Sequence, residues 1–275
     1  MSQSLGGRYQ VVRCLGSGHL WTSYLCRNAE LDGSLIVVKV LHPGLVDDDR
    51  TVTQFRDTVF ASYGVSHPNL IRVYEYSRDK DVVQFTCEYV EGRSLAELLS
   101  EEVRMSEDNA LSLLEEMVAG LGALHDAGLF HCALKPENIL IGKDGSVKLS
   151  DYCFTNLSIE SPADEHGGVI GDINYASPEF ILRHHFDARS DIYALGVVAY
   201  EMVTGGVPFK AQTVYDTLTM RLKEDPPSPR SLAPGISSFF EDFILKALAR
   251  EPEARFQNMD EVKQALDEIK SLKLH

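Results

Sequence analysis

His131-Cys132-Ala133-Leu134-Lys135-Pro136-Glu137-Asn138 is followed by Asp151-Tyr152-Cys153 and then by Ser177-Pro178-Glu179. Between the first two stretches, apolar runs at 138–141 and 147–149 flank Lys143-Asp144-Gly145-Ser146, whose Asp-Gly step favours a tight hairpin turn. Upstream, Ala110, Leu113, Leu114, Met117, Leu121 and Leu124 recur three or four apart, which predicts a helix with one buried face. Further upstream the period changes to that of strands. Runs rich in β-branched and aromatic residues lie at 9–15, 21–27, 35–41, 70–76 and 82–89, with a single helix expected at 49–63. Downstream, 155–171 is polar and glycine-containing, hence a loop. Helical periodicity returns at 192–202, 214–222, 239–248 and 259–272, with Pro226, Pro227 and Pro229 breaking the chain between two of these. The composition shift near residue 90 divides an α+β chain into a small β-rich lobe, about 8–91, and a larger helical lobe, about 92–275.

The bulk numbers narrow the class. At 275 residues, 44% hydrophobic and 24% charged, the chain has ordinary globular usage and length enough to bury a large core. A net charge of −15 repels phosphate backbones and anionic lipid, so neither nucleic acid nor a membrane surface is expected as a partner. No run approaches the roughly 18 apolar residues of a membrane span, and the first seven residues lack the features of a signal peptide. Cys14, Cys26, Cys87, Cys132 and Cys153 are odd in number and lack metal-site spacing, which points to reduced thiols. The expected location is the cytoplasm, or the cytoplasmic face of a membrane protein if the sequence is part of one.

The order of short motifs resembles the protein kinase superfamily, in its bacterial branch of eukaryotic-like (Hanks-type) Ser/Thr kinases. Leu15-Gly16-Ser17-Gly18 resembles the opening of the glycine-rich phosphate loop, Val37-Val38-Lys39 the strand with the phosphate-binding lysine, and His67-Pro68-Asn69 the lead into the fourth strand. Glu88-Tyr89-Val90-Glu91-Gly92 is similar to the hinge that receives adenine. The stretch 131–138 stands where HRDLKPEN belongs, 151–153 where DFG belongs and 177–179 where APE belongs. Each motif is weak alone, whereas all of them in order are specific, and the resemblance runs from about residue 8 to 272. It implies a bilobal fold with one C helix in the N-lobe. It also implies a vestigial nucleotide pocket at Gly16, Gly18, Lys39, Glu88 and Val90, with Asn138 and Asp151 as Mg²⁺ ligands if nucleotide binds.

The same resemblance exposes departures. The family aspartate that orients the incoming hydroxyl is Ala133, and a methyl group removes a general-base contribution of roughly 10²- to 10⁴-fold. Trp21 replaces the third loop glycine and is expected to hinder a tight turn over phosphate. Ser23 and Val37 alter the adenine ceiling, Thr58 falls where the C-helix glutamate belongs, and Asp57 beside it points about 100° away. Glu75 or Asp151 is an alternative partner for Lys39. Cys132 removes the HRD arginine, Cys153 the DFG glycine, and Asp172 replaces a threonine and faces Lys135. Against these stand Lys39, Lys135, Asn138 and Asp151, the remnants of phosphate and metal binding. Asp191 resembles the brace of the catalytic loop, and Glu179 with Arg255 a buried pair of the large lobe. The expectation is a degenerate site: a pseudokinase that is not an enzyme and requires no cofactor, binding ATP with Mg²⁺ weakly at most. It would act as a scaffold for another protein, such as a kinase or signalling protein, with a homodimer as a further possibility. The alternative is a low-activity or unconventional ATP-dependent Ser/Thr protein kinase. A redox role for Cys132 and Cys153 is the third reading.

Overall fold

The computed structural model describes residues 4, 5, 7–18, 20–153 and 173–273. The expected loop at 155–171 and the expected role of Asp172 lie outside them. Two compact units emerge, one of Met1–Ser66 with Leu70–Glu91 and one of His67–Asn69 with Gly92–His275. Together they form the bilobal α+β fold that the sequence implies.

In the smaller unit, β1 (Ser4–Leu5), β2 (Tyr9–Ser17), β3 (Trp21–Asn28) and β4 (Ser34–Leu41) run antiparallel in sequence order. After α1 (Pro43–Val46) and α2 (Asp49–Ser62) come β5 (Val73–Asp79) and β6 (Val82–Cys87), with β6 inserted beside β4 to give the order β1-β2-β3-β4-β6-β5. The β-branched run of β4 is buried on both faces because it lies in the sheet interior. One face carries Tyr9, Cys26, Ile36 and Val38. The other places Trp21 and Phe85 against Phe55 of α2, at ring-centroid distances of 6.1 and 5.5 Å. The Asp48 carboxylate caps α2 by accepting from Arg50 N, and Val52, Phe55 and Val59 turn inward at the 3.6-residue period. The strand expected at 70–76 starts at Val73, since Leu70 and Ile71 are buried anchors ahead of it.

In the larger unit, β7 (Gly92–Ser94) leads into α3 (Leu95–Glu101), a short helix fixed by a capping box between Ser94 and Glu97. Then follow α4 (Glu107–Asp126) and the hairpin of β8 (Ile139–Gly142) and β9 (Val147–Leu149), with Gly145 at φ +85° in the Asp-Gly turn. β7 adds to β8, and a Cβ at Gly92 would lie 1.9 Å from Ile141 O, so only glycine allows that pairing. The remaining helices are α5 (Pro178–Arg183), α6 (Ala188–Thr204), α7 (Val214–Lys223), α8 (Pro229–Leu232), α9 (Ser238–Ala247) and α10 (Met259–Lys273). α6 is buried nearly all round, which is why its apolar residues show no single stripe. His67–Asn69 belongs with this unit: Asn69 Nδ2 donates to Glu116 and to Val147 O, and its carbonyl accepts from Leu149 N. No helix among the described residues is long and apolar enough to cross a membrane.

Candidate active site

The expected site residues fall on both units. In the smaller one, strand register brings Gly16 and Lys39 to either side of Ser23, across three neighbouring strands. Gly18 N donates to Trp21 O at 3.0 Å and closes the hairpin, while His42 Nε2 bonds Gly18 O at 2.7 Å. A Cβ at Gly16 or Gly18 would meet nothing within 4 Å, so packing does not demand glycine at either position. Bare backbone in open space is what close approach of a phosphate needs, and these residues fit that group. The hairpin closes with Trp21 at its end, and the indole is 9% exposed. Trp21 lies on the face of β3 that meets Phe55 of α2, and the apolar cluster there draws the ring inward.

Lys39 is 8% exposed, and its Nζ lies 5.3 Å from the Trp21 ring centroid. Thr58 is half-buried; Asp57 is exposed and takes Arg56 at 2.8 Å. Glu75, one alternative lysine partner considered, accepts from Arg8 at 2.9 Å and from Tyr9 Oη at 3.1 Å. At the end of β6, Glu88 N donates to Arg72 O at 2.8 Å, and Val90 is half-buried.

In the larger unit the loop 131–138 is held by its backbone. Asp191, fully buried on α6, accepts from His131 N at 2.8 Å, Cys132 N at 2.9 Å and His125 Nε2 at 2.9 Å. Ala133 N donates to His131 Nδ1 at 3.3 Å, and Ala133 O accepts from Asn138 Nδ2 at 2.8 Å. With its nitrogen so engaged, Asn138 offers Oδ1 as the atom for a cation. Ser150 N donates to Asn138 O at 2.8 Å, which ties the residue before Asp151, just past the end of β9, to the residue whose amide is the expected metal ligand. Lys135 is half-buried in extended backbone beside them. Cys132, Asp151 and Cys153 adopt left-handed φ of +65°, +60° and +71°, a concentration of backbone strain on the two loops that carry the chemistry.

Burial governs titration here. It lowers the His131 pKa despite the opposing charges of Asp191 and Asp151, so this ring is neutral. Burial, aided by the Asp191 charge, pushes the Cys153 thiol up to about 12, which argues against a thiolate at that one of the two cysteines of the redox reading. All five cysteines are free. Glu179 is drawn up by burial, but Arg255, at 2.7 and 2.9 Å, outweighs that and holds the carboxyl below its ordinary value.

Sequence reading missed two features. Arg221 of α7, 1% exposed, donates to the carbonyls of Ile173, Asn174 and Ala176, and stands over the rings of Tyr193 and Phe209. A lone arginine on an amphipathic helix carries no signal that separates it from a solvated one. The second is the Trp21–Phe55–Phe85 cluster, which alternation along β3 and β6 would have shown.

A family model described as the protein kinase domain matches residues 9–267. The chain belongs to the protein kinase family. It is 28% identical over 262 residues to the serine/threonine-protein kinase PrkC of Bacillus subtilis, covering 95% of this chain and 40% of that one. It is 32% identical over 255 residues to the serine/threonine-protein kinase PknL of Mycobacterium tuberculosis, covering 93% and 64%. The chain thus spans between about two-fifths and two-thirds of the length of these curated relatives. The crystal structure of the Mycobacterium tuberculosis PknI kinase domain superposes with a TM-score of 0.76 at 22% identity, covering 98% of both chains, a likeness of fold. Relatives named as Ser/Thr kinases over nearly the whole chain correct the expectation that it is not an enzyme. The physical reason is that most of phosphoryl-transfer catalysis lies in positioning and charge, which one missing base does not abolish. Membership in the family also implies the use of ATP and Mg²⁺ in general.

Proposed function

We propose that this chain is an ATP-dependent Ser/Thr protein phosphotransferase of low rate, which works without a carboxylate base at position 133. The observation that supports it is the loop geometry of the larger unit, where Asn138 is locked to Ala133 O and, through Ser150, to the start of 151–153. Mg-ATP, when bound, supplies the transferable phosphoryl group and a metal that neutralises its charge. Lys39 and Lys135 are the cations for the phosphates, Asn138 Oδ1 and the Asp151 carboxylate the oxygen ligands for the metal. Gly16 and Gly18 leave backbone open to the phosphates, and the 88–90 backbone accepts adenine. The Ala133 methyl offers a substrate hydroxyl no hydrogen-bond acceptor, so this chain would supply no general base at that position. Setting the general-base loss against ordinary kinase turnover gives a rate on the order of 10⁻⁴ to 1 s⁻¹. Nucleotide affinity is modest, because Val37 adds methyl groups to the adenine ceiling and Ser23 removes them. The partner is a protein with exposed Ser or Thr and a basic surface, matched to a net charge of −15. The reduced cysteines suit a cytoplasmic setting.

Purified chain incubated with γ-labelled ATP, Mg²⁺ and a basic protein should incorporate label slowly, with loss of signal in Lys39→Met and in Asp151→Asn. The reading fails if no label is transferred and millimolar Mg-ATP leaves the melting temperature unmoved, since binding stabilises by RT ln(1 + [L]/Kd).

A further inference from the structure

Trp21 and Lys39 occupy a diagonal pair of β3 and β4: Trp21 is opposite Leu41, and Ser23 is opposite Lys39. Diagonal neighbours share a face and lie within reach of an aromatic ring and a long side chain. The ammonium does reach, at 5.3 Å from the ring centroid, with both residues more than nine-tenths buried. On its other side the indole packs at 6.1 Å from Phe55 of α2 and at 6.1 Å, edge-on, from Phe85, which is itself paired with Lys39 in the sheet. α2 has two carboxylates, Asp49 and Asp57, and both are exposed with arginine partners, Arg78 and Arg56. The helix therefore contacts the lysine's surroundings through an aromatic ring, with an uncharged threonine at 58.

We propose that Trp21 is a positioning residue for Lys39: its π face holds the ammonium, and Phe55 transmits the position of α2 to it. Aromatic packing thus links helix to lysine, a coupling that the family obtains with a glutamate. The inference rests on the proposed nucleotide-dependent function only for its consequence, since the contact itself exists without nucleotide. A desolvated cation–π pair is strong enough to change lysine placement, and hence nucleotide affinity, by roughly 2- to 30-fold.

Trp21 is the one tryptophan of the chain, so indole emission reports on the surroundings of this residue. In nucleotide-free protein, Lys39→Met keeps the apolar stem and removes the cation. Emission intensity or maximum should change, and an unchanged spectrum overturns the proposal. For the consequence, calorimetric titration with Mg-ATP should show Trp21→Leu weakening affinity by roughly 2- to 30-fold, with Trp21→Phe retaining most of it. In a Lys39→Met background, Trp21→Leu should have no further effect on affinity. An equal loss with and without the lysine means that Trp21 acts through packing, which also overturns the proposal. If Trp21→Leu does not fold, Trp21→Phe and the Lys39→Met spectrum decide. Failure of the parent to bind Mg-ATP removes the proposed function and with it the consequence for affinity, while the spectrum still decides the contact.

Discussion

Ala133→Asp returns a carboxylate to the position where the chain has a methyl, and the structure sets how much this restores. The backbone there is pinned on both sides, with Ala133 N on His131 Nδ1 and Ala133 O on Asn138 Nδ2, so the new side chain leaves Cα along the existing Cα–Cβ direction. Ala133 is half-buried, so the carboxylate keeps contact with water and avoids the cost of a fully buried charge. General-base assistance of roughly 10²- to 10⁴-fold corresponds to about 2.7 to 5.4 kcal/mol at 1.36 kcal/mol per decade. The base acts only in the chemical step, so kcat should rise by that factor with little change in the KM for ATP. Initial rates of label transfer at saturating Mg-ATP, for parent and variant, measure it, and Lys39→Met added to the variant should abolish the gain. A folded Ala133→Asp protein whose kcat rises by less than about 10-fold would refute the reasoning that the vacant base limits turnover.

Glu179→Gln removes the charge facing Arg255, yet that guanidinium keeps the carbonyls of Arg189, Ala249 and Arg250. The loss should lie at the low end for breaking a buried pair, about 3 kcal/mol, or a fall in Tm of about 6–12 °C, read by urea and thermal unfolding at pH 7. Because the folded pKa of Glu179 lies below its ordinary 4.5, its stabilisation is present above that value and disappears as pH falls through the depressed one. The parent should therefore lose stability more steeply than the variant below pH 4.5, and parallel acid limbs would contradict this assignment. Gly18→Ala should leave Tm within about 1 °C of the parent, because the new Cβ meets nothing, while reducing the thermal shift produced by Mg-ATP. Arg221→Met should speed limited proteolysis at 173–177, where three carbonyls lose their shared donor, and equal cleavage rates would show that Arg221 does not hold that segment.

The fold was legible wherever a local period or turn announced it. The Asp-Gly hairpin, the α4 stripe and the strands around Lys39 follow from alternation, helical spacing and turn chemistry. α3 escaped notice because seven residues are too few to show a period, and only its capping box, Ser94 with Glu97, marked it. Glu179–Arg255 and Asp191 were legible through the resemblance, and the structure places both as expected. Arg221 was not, since three carbonyl contacts more than forty residues away in sequence leave no local trace. The burial of the Trp21 ring was missed because position in a motif was weighed and strand face was not. As the first residue of β3 it turns under the sheet, and the alternation of 21, 23 and 25 against 22, 24 and 26 contained that information.

The loss at position 133 and the strained backbone around it have a common explanation. Four hydrogen bonds that shape 131–133 use main-chain atoms of the loop: His131 N and Cys132 N on Asp191, Ala133 N on the His131 ring, Ala133 O on Asn138. None uses the side chain of 132 or 133, so those side chains can change identity while the loop keeps its course. A cysteine at φ +65° is nonetheless unfavourable on its own by about 1–3 kcal/mol, and it persists only because Asp191 over-determines the backbone on both sides of that residue's amide. On the proposed function, the geometry of the loop is in place and a carboxylate at 133 is what one side chain would supply. Asp191→Asn tests this directly: it keeps the side chain's shape but gives one acceptor oxygen where two served three donors. If the loop's geometry is what supports the residual rate, label transfer should fall even though residue 191 is on α6, and a variant that folds and transfers phosphate at the parental rate would separate loop geometry from activity.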